Sequence, residues 1–170
     1  MLEHIKVNIP EVAKDIRLNL GKVLEVVNDG LTTEQLFSSA LAVAYTLEDD
    51  ELIEGLKQEL VNTELIRAAQ LAASLMAMTN IYYRFVHLTE DAEVGHIPAG
   101  LRMQGMMNPG IDKVTFELLC LAVSAVNGCG TCVSSHTHQL REHGLSAGAI
   151  AHVGRISAVI NAVSVSRKIL

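Results

Sequence analysis

Asp112-Lys113-Val114-Thr115-Phe116-Glu117-Leu118-Leu119-Cys120-Leu121-Ala122-Val123-Ser124-Ala125-Val126-Asn127-Gly128-Cys129-Gly130-Thr131-Cys132-Val133-Ser134-Ser135-His136 reads as one helix, a break, and the start of a second helix. Asp112 is a good N-cap, and residues 112–126 run without a glycine or proline until Asn127-Gly128 interrupts them. The second helix carries Cys129 and Cys132 and ends at Gly144. If the two fold back as a hairpin about Asn127-Gly128, Glu117 lies about ten residues before the turn and His136 eight or nine after it. At ~1.5 Å of rise per residue the two then stand at similar heights.

The rest of the chain follows the same helical pattern. A short helix is expected over residues 8–19, with Pro10 near its start and Gly21 near its end. Thr32 or Thr33 caps a second, whose broad apolar face is Leu36, Ala40, Leu41, Val43 and Ala44. Asp49-Asp50 begins a third, with Leu52, Ile53, Leu56 and Leu60 at helical spacing, and Thr63 caps a longer fourth reaching about residue 84. Residues 92–110 hold Gly95, Pro98, Gly100, Gly105, Pro109 and Gly110 and are expected to be mainly loop, with a turn of helix over 101–107. Ser146 caps a last helix towards residue 166. The composition agrees with an all-α fold: 49% hydrophobic residues, mostly small, 4% aromatic, no Trp and three prolines.

A length of 170 residues suits a single all-helical domain over 1–170. A weak internal repeat relates residues of about 33–85 to residues of about 113–165. At a shift of 80, Leu41-Ala42-Val43 recurs as Leu121-Ala122-Val123, and Leu60 and Leu65 recur as Leu140 and Leu145. Asp49 then falls on Cys129, Leu52 on Cys132 and Leu56 on His136. The first half is therefore either a duplicated unit without the chemistry or a chance match of a common helical tripeptide.

A net charge of −6 without a basic cluster argues against nucleic acid or an anionic membrane as partner. The opening residues lack the basic region and apolar run of a signal peptide, and no stretch approaches the roughly 18 consecutive apolar residues of a membrane helix. A cytoplasmic location is expected, where thiols are kept reduced and a Cys pair is redox-active or metal-binding rather than part of a disulfide framework.

Two cysteines three apart at a helix start lie on one face, close enough to form a disulfide. The unpaired N–H groups and positive dipole end of the first turn favour the thiolate. His136 is one turn beyond Cys132 and two beyond Cys129, so it is better placed to exchange a proton with Cys132. A carboxylate at Glu117, in an otherwise apolar run, is unusual unless it has a partner, and orienting an imidazole would supply one. Other readings compete. Cys129, Cys132, His136 and His138 could ligate zinc, although one short helix cannot easily wrap four ligands round a tetrahedral ion. Glu117 alone could be a surface carboxylate. Cys120 reads as a small core residue, His138 faces away from His136, and His4, His87, His96, His143 and His152 show no ligand spacing. Met103, Met106 and Met107 suit the core or a subunit contact.

The pattern Glu117 … Cys129-x-x-Cys132-x-x-x-His136 resembles the alkyl hydroperoxidase D proteins, within the carboxymuconolactone decarboxylase-like superfamily. The likeness extends to Pro10-Glu11-Val12-Ala13-Lys14-Asp15-Ile16-Arg17-Leu18-Asn19-Leu20, Leu101-Arg102-Met103, Asn108-Pro109-Gly110-Ile111 and Ala122-Val123-Ser124-Ala125-Val126-Asn127-Gly128-Cys129. It implies a homotrimer with no bound cofactor, in which Cys132 is the peroxidatic thiol and Cys129 the resolving thiol and proton donor. It implies further that dihydrolipoyl groups on a 2-oxoacid dehydrogenase acyltransferase reduce the Cys129–Cys132 disulfide. Electrons would also pass to a partner peroxiredoxin, with Glu117 and His136 as the proton relay. Members of the family can carry a His between the cysteines, where this chain has Thr131. An electron adaptor with little peroxidase activity of its own, a zinc-stabilised structural module and a lactone decarboxylase are the alternatives.

Overall fold

The computed structural model describes residues 2–25 and 30–169, and among these every regular element is helical. The helices are α1 (Leu2–Asn8), α2 (Lys14–Val23), α3 (Thr33–Thr46), α4 (Asp50–Lys57), α5 (Thr63–Thr89), α6 (Ala92–His96), α7 (Lys113–Val126), α8 (Gly130–Glu142) and α9 (Ala147–Lys168). Most of their starts are set by side-chain caps that satisfy first-turn N–H groups, although α2 has none. Thr32 and Gln35 form a reciprocal capping box at α3, while Asp49, Asn62, Asp112 and Ser146 cap α4, α5, α7 and α9.

The N-terminal region differs from its sequence reading. Where one helix is expected over 8–19, α1 ends at Asn8, a turn of 3-10 helix covers Glu11–Ala13, and α2 begins at Lys14. Proline disfavours the α conformation in the residue before it, so Pro10 separates two helices instead of opening one. α1 docks on α4 through Ile5, which is fully buried. A β-carbon at Gly55 of α4 would stand 2.8 Å from the Ile5 Cδ1, so the glycine lets Ile5 seat without turning its side-chain tip aside. Burying Ile5 contributes about 1.5–3 kcal/mol. α5 is also longer than its reading: Asn62 caps it instead of Thr63, and it stops only where Glu90 turns left-handed. The loop over 92–110 contains α6 and a 3-10 turn at Gln104–Met106, narrower than the turn expected over 101–107.

α3 and α7 form the centre, touching each other and both touching α5 and α9. Small residues let their backbones approach: Ala40, Ala42, Ala44, Ala68, Ala69, Ala72 and Ala122 are all fully buried. Leu36, Leu41, Phe116, Leu118, Leu119, Ile156 and Ile160 fill the space between. By length and composition α9 could cross a membrane, with a mean hydropathy of 1.3 over its best window. Here it is a core helix: it packs on α2, α3 and α7, and Val153, Ile156, Ile160 and Val163 are fully buried.

The offset of 80 has a geometric counterpart. α3 and α7 each have 14 residues, starting at Thr33 and Lys113. Glu48 and Gly128 both take positive φ, 53° and 67°. Asp49 and Cys129 both cap the next helix, accepting from the N–H of Leu52 and Cys132. Gln35 even donates to Thr115 across 3.0 Å, joining equivalent positions of the two segments. α8 then runs 13 residues against 8 in α4, and the caps of α5 and α9, Asn62 and Ser146, stand 84 apart. Leu65 and Leu145 therefore do not correspond: one lies within α5 and the other precedes the cap of α9.

Asp49 also holds the end of α9. Its Oδ1 accepts from Leu52 N–H at 3.1 Å and from the Arg167 guanidinium at 2.9 Å, and Arg167 reaches Glu51 as well. Burial pushes the Asp49 carboxyl up, but the Leu52 N–H, the Ser164 hydroxyl and Arg167 outweigh it and hold the group below its ordinary value. A carboxyl depressed by folding adds stability above its unfolded pKa of about 3.9, and that stability is lost as pH falls through the folded value. Asp49→Ala is therefore expected to cost about 1–3 kcal/mol at pH 7, from the lost cap and the unpaired Arg167. Urea denaturation should show the gap between variant and parent narrowing below about pH 4.

Candidate active site

The corner between α7 and α8 is built by backbone hydrogen bonds from Asn127 N–H to Val123 O (3.0 Å), Gly128 N–H to Ala125 O (3.2 Å) and Cys129 N–H to Ser124 O (3.1 Å). Gly128 takes the left-handed conformation that lets the chain reverse without strain. Cys129 follows with extended φ and ψ of −89° and 92°, and its Sγ accepts the Cys132 N–H at 3.3 Å. The same geometry brings the two sulfurs into a disulfide across a Cα–Cα distance of 5.3 Å. Cys129 is fully buried and Cys132 is 6% exposed, so Cys132 is the outer of the two.

The hairpin also brings Glu117 and His136 together. The ring Nδ1 lies 2.6 Å from Glu117 Oε2, and both side chains are buried. The carboxylate accepts the Nδ1–H, which fixes the tautomer and leaves Nε2 to take or give a proton. Because His136 sits one turn beyond Cys132 on α8, this paired imidazole stands beside the outer sulfur's position on the helix. Each group supplies the partner that makes burial of the other tolerable.

Cys120 lies one turn after Glu117 on α7, fully buried and free. Burial, and then the nearby Glu117 charge, push its thiol far above the ordinary range, which suits a core residue. Thr131 is exposed. His138 is also exposed and pairs with Glu142 at 3.1 Å, one turn along α8. Among the described residues no group of three or more His, Cys, Asp or Glu side chains is arranged to hold a metal ion. His152, which had no evident spacing partner, is buried with its Nε2 2.8 Å from Val23 O, tying α9 to the end of α2. Met106 packs against the core, whereas Met107 is exposed.

Sequence reasoning missed a buried polar cluster behind the corner. Asn80 of α5 donates its Nδ2 to Ser124 Oγ at 2.9 Å and accepts from Asn127 Nδ2 at 3.0 Å. Ser124 Oγ donates to Met76 Sδ at 3.4 Å, and Arg84 donates to the Asn127 carbonyl. A signal existed: Asn80 follows Met76 by four and Ala73 by seven, on the apolar face of α5.

The helical fold thus places a Cys-x-x-Cys disulfide at a helix start, with a buried Glu–His pair beside the next turn. The carboxymuconolactone decarboxylase family model matches residues 92–170, which include the whole α7–α8 hairpin. Alkyl hydroperoxide reductase AhpD of Coxiella burnetii is 47% identical over 168 residues, covering 96% of this chain and 95% of that protein. The AhpD of Frankia alni is 44% identical over 161 residues, covering 93% and 86%, and that of Maricaulis maris is 39% identical, covering 96% and 95%. The chain belongs to the alkyl hydroperoxide reductase AhpD family.

The contrast between Cys120 and the pair at the corner gives a direct chemical test. Iodoacetamide at neutral pH should leave Cys120 unmodified in the folded, reduced protein and modify it on addition of denaturant, as read by peptide mass spectrometry. Labelling of Cys120 at the rate of Cys132 in the native state would contradict its placement.

Proposed function

We propose that this protein reduces alkyl hydroperoxides through the Cys129/Cys132 couple, using dihydrolipoyl groups as the source of electrons. The observation that carries the reading is the Glu117–His136 pair, 2.6 Å apart and one helical turn from Cys132. His136 Nε2 takes the Cys132 proton, and the thiolate attacks the peroxide oxygen. The O–O bond breaks, Cys132 becomes a sulfenic acid, and the alkoxide leaves as alcohol after accepting a proton through His136 or from Cys129. The Cys129 sulfur then attacks Cys132, expelling water and forming the disulfide. Exchange with a dihydrolipoyl dithiol, such as that carried by a 2-oxoacid dehydrogenase acyltransferase, restores both thiols and yields lipoyl disulfide. The same reduced pair passes electrons to a peroxiredoxin. The protein is proposed to act as a cytoplasmic homotrimer; Ile81, Phe85 and Leu88 form an exposed apolar row on α5 that suits a contact between copies.

The decisive experiment is peroxide consumption with dihydrolipoamide as sole reductant, run with and without a peroxiredoxin. Turnover without the peroxiredoxin is expected. Turnover only in its presence would make the protein an electron adaptor. Cys132→Ser should abolish reduction, while Cys129→Ser should complete one oxidation and trap a dimedone-reactive sulfenic acid. Dimedone on Cys129 of the Cys132→Ser protein, at the parent rate, would reverse the roles of the thiols.

The relay makes a separate prediction. Glu117→Gln keeps the shape of the side chain but not its charge and should lower the rate at least ~10-fold. His136→Phe should do similar harm, and the double variant should be little worse than either single change. Multiplying losses would show that the residues do not act as a unit. Thr131→Val should retain most activity, since an exposed hydroxyl off the helix face of Cys132 adds no second imidazole. A large loss on Thr131→Val would mean that the relay includes this hydroxyl or a water held by it.

A further inference from the structure

The α7–α8 corner is held from behind by a helix that contributes nothing to the proton relay. Asn80 lies in the middle of α5, fully buried, and uses both ends of its amide. Its Nδ2 donates to Ser124, whose own carbonyl receives the Cys129 N–H; its Oδ1 accepts from Asn127, the first residue of the reversal. Arg84, one turn further along α5, donates to the Asn127 carbonyl. Ser124 is itself fully buried, and its remaining hydrogen goes to Met76. Three side chains of one rigid helix thus fix the two residues, Ser124 and Asn127, from which the position of Cys129 follows.

Such a fixture has a chemical consequence that differs from stability. Closing a disulfide restricts both cysteines, and a corner already restricted has less freedom left to lose. A loosened corner leaves the dithiol more conformations and the disulfide no more, which shifts the couple towards the dithiol. A buried amide with both ends used is also worth more than an exposed one, because its partners have no water to fall back on.

We propose that Asn80 and Arg84 are positioning residues for the thiol pair: they hold the Ser124–Cys129 corner so that the Cys129/Cys132 couple closes readily, and so set its redox equilibrium. The inference rests on the reading of the pair as a redox couple. It assigns to α5 a role separate from the proton relay proposed for Glu117 and His136.

The test is the dithiol–disulfide equilibrium of the full-length protein against dihydrolipoamide and lipoamide, followed by alkylation and mass, beside thermal unfolding and the pH dependence of peroxide turnover. Asn80→Ala should move the equilibrium towards the dithiol by about tenfold, close to 30 mV for this two-electron couple. Arg84→Gln should move it about threefold in the same direction, and Arg84→Lys, which keeps a donor, should return most of that shift. The shape of the pH–rate profile should not change in any of them. Arg84 is only half-buried, so its variants decide the matter if Asn80→Ala fails to fold. An unchanged equilibrium in the Arg84 variants, and in Asn80→Ala if it folds, would overturn the inference, whatever their melting temperatures. Parent protein that forms no reversible Cys129–Cys132 disulfide would instead overturn the functional reading itself, and this inference with it.

Discussion

A buried carboxylate and a buried imidazole on different helices can both persist only if each satisfies the other, and that requirement fixes the register of the α7–α8 hairpin. Glu117 and His136 are 19 residues apart and meet at 2.6 Å. One residue more or less in the turn would rotate one of them by about 100° and lift it by about 1.5 Å, out of reach. The cost of leaving either group unpaired in the interior is several times the net worth of an ordinary hydrogen bond. The reversal at Asn127-Gly128, the start of α8 at Cys129 and the face on which Cys132 lies are thus all tied to one contact.

The packing that surrounds this hairpin explains why it can be so exacting. α7 is enclosed by α3, α5, α8 and α9, and ten of its fourteen residues are buried. A helix held on that many sides cannot slide to accommodate a poor turn. The alanine-rich contacts between α3, α5 and α7 bring backbones close, so displacement of α7 would open voids that no flexible side chain could fill. Rigidity of the centre is passed to the corner, where polar groups of α5 complete the hold.

Much of this was legible in the sequence, for identifiable reasons. The starts of α3, α4, α7 and α9 were marked by Thr32, Asp49, Asp112 and Ser146, because a short polar side chain before an apolar run has one favoured use. The approach of Glu117 to His136 followed from counting outwards from a glycine. Pro10 misled, since proline suits both the first turn of a helix and the residue just beyond one, and only the docking of Ile5 on Gly55 distinguishes the two. The end of α5 was illegible because nothing between Arg84 and Glu90 breaks a helix. The burial of Asn80 was legible from its place on the apolar face of α5, but its partners were not: they lie 44 and 47 residues away, joined by packing that no local spacing encodes.

The corner before α4 and the corner before α8, 80 residues apart, are closed by different atoms. At α4 the cap is the Asp49 carboxylate, which keeps its identity whatever the redox state around it. At α8 the cap is the Cys129 sulfur, a weaker acceptor and also an atom that changes its bonding. The beginning of α8 is consequently closed by an atom of the Cys129–Cys132 disulfide itself. A change in the bonding of that sulfur therefore falls on the atom that caps α8, whereas the corner before α4 is closed by a carboxylate that takes no part in thiol chemistry.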